Sequence, residues 1–433
     1  MQFSMDGLTI FSNLIFFGNL KVFSAFLVLN EKSKQQCARC GSCTVVCPVF
    51  RVTGREALVA RGKLHLLSTD LADDPSSHFQ DIFAQCLLCG ACEDNCSRQL
   101  SIREQIVQAR SEFSHFYGQH SLQKAFVRKA LSHPALLETL VKAGLSVSRL
   151  SLLPPESGLR IKLGLLEKSD KAEGDQREPG DVETIPNESK FSYFSGCMAR
   201  YLQPSIGKAT NLLVDDLTGE SPFEPDAQMC CGIAAWSAGK IDESRRLAKQ
   251  NIEVFSQTSG QILTSCASCS SHLKKYPTLF EDDPYWQKKA EEFSRRVREF
   301  TSFVDEFLQY GVLRKDDLAR VYYHEPCHLR FEKDNSGAAQ QLLGKIDNIS
   351  LVNSSEDPQC CGQGGLFHIG YPELSDEIFS NAYDKLYQGD ADVVVTSCSG
   401  CLMQWQAGLA TRKSQVQAVH LSIWLRSCMQ INS

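Results

Sequence analysis

The segment CARCGSCTVVCP, residues 37–48, decides how this chain is read. Its cysteines, Cys37, Cys40, Cys43 and Cys47, follow the spacing C-x2-C-x2-C-x3-C, with Pro48 directly after. The spacing returns as CLLCGACEDNCS, residues 86–97, through Cys86, Cys89, Cys92 and Cys96, with Ser97 in the proline's place. Structural zinc usually takes one C-x2–4-C pair from each of two separated knuckles to complete one tetrahedron. Four thiols within eleven residues, twice over, are too dense for that pattern and point to iron–sulfur chemistry.

Outward from these runs, the cysteine count sets the compartment. The 433-residue chain holds 19 cysteines, bunched into groups of four, four, five and five, with Cys428 left over. An odd, clustered set fits a secreted disulfide scaffold poorly and fits thiolates kept reduced for metal. A cytoplasmic location is therefore expected, with peripheral attachment to the inner face of the membrane as its one extension. Hydrophobic residues at 42% and charged residues at 22% describe an ordinary globular protein of two or three domains. The balance of 45 basic against 51 acidic residues leaves no footprint for nucleic acid. Arg245-Arg246 and Arg295-Arg296 have acidic neighbours and read as solvated helix faces.

Residues 1–30 form an apolar N-terminal segment interrupted by Lys21. Its uncharged runs, 14 residues before Lys21 and 9 after, fall short of a spanning helix. Asp6 stands where a secretory signal would carry positive charge. The segment reads as a helix lying on a membrane surface or a partner subunit, or else as a loosely ordered extension.

The C-x2-C-x2-C-x3-C-P spacing is that of bacterial two-cluster ferredoxins. This part of the chain resembles the helical two-cluster ferredoxin domain of iron–sulfur subunits in respiratory dehydrogenases. In that pattern three thiolates of one run hold one cubane [4Fe–4S] cluster, and the fourth ligates the other. The resemblance implies Cys37, Cys40, Cys43 and Cys96 for cluster 1, and Cys86, Cys89, Cys92 and Cys47 for cluster 2. Ser97 departs from the pattern without removing a ligand. Residues 54–71, with Leu58, Leu64 and Leu67 on one face, and residues 101–113 predict amphipathic helices. The ferredoxin domain is placed at 31–112. A helical connector broken at Pro134 and Pro154-Pro155 follows, then a charged stretch over 167–190 that cannot bury a core. Connector and linker together span 113–190.

The second half repeats itself. Cys197 corresponds to Cys327 and Cys230-Cys231 to Cys360-Cys361 at an offset of 130, and Cys266 and Cys269 to Cys398 and Cys401 at 132. FSYFSGC parallels RVYYHEPC, QILTSCASC parallels VVVTSCSGC, and each CC pair precedes a glycine, Gly232 or Gly362. Residues 191–194, 321–323, 262–265 and 392–397 predict short strands of a parallel sheet, each running into a cysteine. Carboxyl ends of strands are where α/β folds build sites. The repeat resembles the tandem CCG-domain family over residues 190–430, in modules at 191–312 and 313–433. The expected class is α+β multidomain: an N-terminal α-helical two-cluster ferredoxin domain followed by two pseudo-symmetric α/β CCG modules.

Taken together, the architecture resembles the iron–sulfur subunit of glycolate oxidase or D-lactate dehydrogenase type, and the related catalytic subunits of heterodisulfide reductase. The resemblance implies a noncubane [4Fe–4S] cluster at one or both five-cysteine sets, with zinc as the alternative in one. The first set is Cys197, Cys230, Cys231, Cys266 and Cys269; the second is Cys327, Cys360, Cys361, Cys398 and Cys401. It further implies an electron-transfer subunit of a flavin-dependent 2-hydroxy-acid dehydrogenase. An FAD-containing partner subunit would oxidise glycolate or D-lactate, and this chain would pass single electrons to a quinone or other acceptor. The same resemblance leaves open a chain that itself reduces a disulfide at the CCG sites; a zinc-stapled scaffold is the third reading. His324 and His328 flank Cys327 as candidate hydrogen-bond or proton donors beside a metal, or as packed histidines. Arg330 either steers an anion or makes a surface pair, and no residue is assigned as catalytic. Phe194, Tyr322, Tyr323 and Trp236 read as core, and Cys428 as an ordinary terminal thiol.

Overall fold

The computed structural model of the chain describes residues 37–149, 189–308, 313–331, 337–352 and 360–429, and divides into two compact units, Met1–Leu122 and Gln123–Ser433. The apolar segment 1–30 and nearly all of the charged stretch 167–190 lie outside the described residues. Among the described residues no helix is long and apolar enough to cross a membrane.

Every regular element described in the first unit is helical. The stretch 54–71 splits into a 3-10 turn, Glu56–Leu58, and a helix, Ala60–Leu67. Gly62 makes that junction tight, because a Cβ there would stand 2.1 Å from the Glu56 carbonyl oxygen. Leu58, Leu64 and Leu67 are buried, as their spacing predicts. Ser76 caps the helix Ser77–Ala84 by accepting the Phe79 N–H at 3.2 Å, a contact typically worth ~1 kcal/mol. That helix then stacks Phe79 on Phe83 at 5.0 Å and sets both edge-on to Phe113, just past the helix Ile102–Glu112.

The second unit holds two parallel sheets. The first orders β1 (Phe191–Tyr193), β2 (Gln261–Thr264) and β3 (Val297–Glu299) as β1-β2-β3. The second contains β4 (Arg314–Tyr323), β5 (Asp347–Leu351), β6 (Val393–Thr396) and β7 (Gln417–His420), ordered β5-β4-β6-β7. All pairings are parallel. β1 matches β4, β2 matches β6 and β3 matches β7, while a single bridge from Ser192 to Phe223 stands in for β5. β2 and β6 are almost wholly buried, as central parallel strands covered on both faces must be. The pseudo-symmetry extends to polar detail: Tyr193 Oη meets Ser265 Oγ at 2.8 Å, and Tyr323 Oη meets Ser397 Oγ at 2.9 Å.

Two cores flank these sheets. One packs Phe194, Tyr276, Phe379 and Trp405 around cysteines of both modules. The other gathers Phe191, Phe300, Phe303 and Leu343, with Cys428 at 1% exposure among them, so that thiol is packing material. Tyr322 and Tyr323 are also buried, and Trp236 is half-buried against the first core. Arg296 departs from its sequence reading. Rather than facing solvent, its guanidinium donates to the carbonyls of Phe255 and Gly260, each at 2.8 Å, tying the end of one helix to the start of β2.

Candidate metal centres

The two cysteine runs of the first unit fold alike. The third residues, Arg39 and Leu88, have φ of 56° and 54°, and the fifth, Gly41 and Gly90, have φ of 84° and 91°. Left-handed residues alternating with right-handed ones turn successive N–H groups inward, a nest that suits anionic groups including iron–sulfur sites. The sulfurs collect such donors. Ser42 bonds Cys40 through its hydroxyl at 3.3 Å and through its backbone N–H, which lowers the Cys40 pKa. The Ala91 N–H plays the same backbone part for Cys89.

Cys37, Cys40, Cys43 and Cys96 line one cavity, and Cys47, Cys86, Cys89 and Cys92 line a second, with Cys92 also on the wall of the first. Asn95 Nδ2 donates to the Ser42 carbonyl at 2.8 Å and fastens one run to the other. Burial pushes the Cys89 thiol up to about 12 and Cys92 well above its ordinary value, so these sulfurs ionise only against a cation. Two cations are already close. Lys63, 1% exposed, lines the second cavity and donates to the Leu58 carbonyl. Burial drives its pKa down, and the neighbouring Cys86 and Cys47 draw it back up. Arg110, 5% exposed, donates at 2.8 Å to both the Phe83 and Cys86 carbonyls. Neither stood out as a site residue in the sequence. The available signal was position, since Lys63 lies four residues from both Val59 and Leu67, on the face its helix buries. Free thiols lining each cavity, backbone N–H donors to sulfur and buried positive charge fit cubane clusters.

In the second unit, β1, β2, β4 and β6 each lead within four residues to a cysteine: Cys197, Cys266, Cys327 and Cys398. Gly196 has φ 69°, and a Cβ there would sit 3.1 Å from Cys269 Sγ. Gly362 has φ 81°, and its Cβ would come within 2.4 Å of the Ser375 carbonyl oxygen, so each module closes its loops too tightly for a side chain there. Tyr276 Oη donates to the Cys231 carbonyl at 2.8 Å and Asn251 Nδ2 to that of Cys230 at 3.1 Å; Ser375 Oγ secures Gly362 at 2.9 Å.

The thiols touch in sequence. Cys197 Sγ lies 3.7 Å from Cys230 Sγ, and Cys361 Sγ lies 3.4 Å from Cys401 Sγ. The two sets also meet each other, with Cys266 Sγ 4.0 Å from Cys398 Sγ and the Ala267 N–H donating to the Ser397 carbonyl at 2.9 Å. Cys231, Cys269 and Cys401 are held well above the ordinary thiol range by S–H donation to neighbouring sulfurs and then by burial. Such crowding opposes full ionisation unless a metal enters, which is the behaviour of a ligand set.

The two flanking histidines take different places. His328 Nδ1 lies 2.8 Å from Ser268 Oγ, which in turn lies 3.2 Å from Cys398 Sγ. His324 is 3% exposed and stands beside Cys361 and Cys401. Arg330 is paired, its Nε 3.3 Å from the Glu325 carboxylate, with both side chains mostly buried.

A helical unit with paired four-cysteine cavities, followed by strand-end thiols in two parallel-sheet modules, defines an iron–sulfur protein of dicluster and tandem cysteine-rich build. Residues 33–100 match the 4Fe-4S dicluster domain, and residues 191–274 and 321–406 match the cysteine-rich CCG domain. The chain belongs to the family of glycolate-oxidase-type iron–sulfur subunits and lactate utilization proteins A. It is 27% identical to the probable glycolate oxidase iron-sulfur subunit of Bacillus subtilis (strain 168), covering 91% of this chain and 94% of that one. To lactate utilization protein A of Exiguobacterium sp. it is 31% identical, over 55% of this chain and 96% of that one. A solved structure of a hypothetical protein from Helicobacter pylori shares the fold at 11% identity, with a TM-score of 0.50 over 86% of this chain and 68% of that one.

Proposed function

We propose that this chain is the electron-transfer iron–sulfur subunit of a flavin-dependent 2-hydroxy-acid dehydrogenase complex, of glycolate or D-lactate type. Its donor is an FAD-containing partner subunit, and its acceptor is a quinone or other carrier. The observation that carries this reading is the pair of cysteine-lined cavities with Cys92 on the wall of both, in a chain similar to a glycolate oxidase iron–sulfur subunit. When bound, [4Fe–4S] clusters accept and release one electron each. The chain's own residues set the terms. Cys37, Cys40, Cys43 and Cys96 serve as one ligand set, and Cys86, Cys89, Cys92 and Cys47 as the other. The Ser42 and Ala91 N–H groups stabilise sulfur charge, and Lys63 and Arg110 place positive charge beside the second set. Anaerobic purification should bring an FAD protein with the chain, and adding glycolate or D-lactate should reduce its cubane EPR signals. Purification without flavin, or signals indifferent to both acids, would refute the reading.

The 4.0 Å approach of Cys266 to Cys398 favours one second reading, in which a disulfide is reduced where the CCG modules meet. A disulfide taking up two electrons and two protons yields two thiols, and the Ser268–His328 pair beside Cys398 places a proton donor there. Disulfide reduction by the isolated chain with an artificial donor, and no flavin partner, selects that reading.

A further inference from the structure

Laying the first cysteine run on the second, Cys37 on Cys86 and Cys47 on Cys96, pairs Ala38 with Leu87, Arg39 with Leu88, Pro48 with Ser97 and Val49 with Arg98. The two cavities sort these residues by kind. Leu87, Leu88, Pro48 and Val49 stand on the wall of the second, and Ala38, Arg39, Ser97 and Arg98 on the wall of the first. Leu87, Leu88 and Val49 are buried, whereas Ala38, Arg39, Ser97 and Arg98 are all exposed. No residue lining the second cavity is exposed; on the first, Cys40 and Asn95 join those four at the surface. The backbone does not cause the difference, since Arg39 and Leu88 share a left-handed φ of 56° and 54°. The side chains do: apolar ones close over one cavity, and small or cationic ones leave the other open. The serine that breaks the proline pattern belongs to this open wall.

The open mouth carries one sign of charge. None of its lining residues is acidic, in a chain of net charge −6. Arg61 is committed, donating to the Glu56 carboxylate at 2.7 Å and to the Arg39 carbonyl at 3.3 Å. The Arg39 and Arg98 side chains have no ion pair or hydrogen bond among the described residues. Around the second cavity, by contrast, Lys63 donates to the Leu58 carbonyl and Arg103 pairs with Glu93 at 2.6 Å. Free guanidinium forks match carboxylates in bidentate geometry, and their field draws an acidic surface toward the exposed Cys40. A lipid surface asks instead for large exposed apolar side chains, and none stands on this wall.

We propose that the first cavity is the face through which the ferredoxin unit exchanges electrons with a separate carrier protein, whose own redox centre is ringed by carboxylates that pair with Arg39 and Arg98. In the exchange one electron leaves the reduced centre and enters the oxidised one, with no bond made or broken. The sealed second cavity offers no such face. The inference rests on the electron-transfer reading above and gives it a docking place and a partner charge.

The test uses the full-length chain, purified anaerobically, with an acidic flavodoxin as the probe. Its affinity is measured by calorimetry without electron flow and its one-electron exchange by stopped flow, with both ferredoxin EPR signals as the check on folding. Arg39→Glu with Arg98→Glu should weaken binding and slow exchange about tenfold or more at ~10 mM salt, the gap closing toward ~0.5 M. Arg39→Leu with Arg98→Val, which installs the sealed wall's residues, should also weaken both, by less than the charge reversal. Arg246→Glu with Arg295→Glu, two exposed arginines of the second unit, changes net charge equally and should stay within about twofold of wild type. An unchanged cavity pair overturns the proposal, as does a control loss of equal size. Binding of anionic phosphatidylglycerol vesicles through the same arginines, with no binding of the flavodoxin, overturns it too. A chain that docks the probe through Arg39 and Arg98 yet passes no electron supports the surface and overturns the electron-transfer reading. Clusters reduced by glycolate or D-lactate, with probe binding indifferent to both arginines, do the reverse.

Discussion

Replacing Lys63 by methionine should lower the midpoint potential of one cubane cluster and spare the other. Lys63 is 1% exposed on the wall lined by Cys47, Cys86, Cys89 and Cys92. A fixed positive charge there stabilises the reduced, more negative state and so raises the potential; removing it lowers the potential. Taking a separation of roughly 6 Å and an effective dielectric of about 20, one charge contributes ~2.8 kcal/mol. For a one-electron couple that is ~120 mV, and relaxation with water entry brings the expected shift to about 50–120 mV. Lys63 does not line the first cavity, where Arg61 is already paired with Glu56 at 2.7 Å and partly exposed. Its cluster should move by less than about half as much, because the interaction falls with distance and screening. Methionine also leaves the Leu58 carbonyl without its donor. Lys63→Arg therefore serves as the charge-preserving control, expected within roughly 30 mV of wild type. The assay is an anaerobic EPR redox titration of the full chain. If Lys63→Met leaves both potentials alone, or shifts both equally, the electrostatic reasoning is wrong.

Gly362→Ala should destabilise the second unit by about 1–3 kcal/mol from backbone strain alone, more once its Cβ meets the Ser375 carbonyl oxygen at 2.4 Å. Gly232→Ala, whose nearest contact is the Ser244 hydroxyl at 3.1 Å, should cost less; equal losses in chemical denaturation would contradict the close-approach argument. Glu299, buried at the start of the helix Phe300–Phe307, has its pKa raised by burial to about 7 from 4.5. Its folded-state pKa exceeds the unfolded one, so its stabilisation is complete below pH ~4.5 and lost as pH rises through ~7, at most about 3 kcal/mol. Glu299→Gln should flatten that part of the melting-temperature profile, and an unaltered slope between pH 5 and 7.5 would exclude Glu299 as its source. Cys360→Ser should keep both ferredoxin signals while changing the metal spectrum of the second module, and an unchanged spectrum there would remove Cys360 from the ligand set.

What the sequence disclosed, it disclosed through short-range constraints. Eight cysteines in two runs of eleven residues specify local turns, and those turns recur with left-handed residues at matching places. The strands β2 and β6 were readable because continuous apolar runs need cover on both faces. β3 and β7, with sequences VRE and QAVH, carry no such pattern and exist through parallel pairing with β2 and β6. Lys63 and Arg110 look like surface residues until the packing of neighbouring helices closes over them. The meeting of Cys266 with Cys398 joins positions 132 residues apart, which no local pattern encodes.

The repeat is most informative where it fails. Its frame is kept, down to the matched tyrosine–serine contacts of Tyr193 with Ser265 and Tyr323 with Ser397. Its chemistry is not. Met198 and Gly400 occupy the places where the opposite module has His328 and Ser268, so the Ser268–His328 contact exists on one side of the pseudo-twofold only. It lies against Cys398, and Cys266 has no counterpart to it from that symmetry. His324 stands opposite Phe194 and lies beside Cys361 and Cys401, while the first module carries the buried His272 where the second has Gln404. The two modules therefore share a frame while differing in the polar groups that lie beside their thiols.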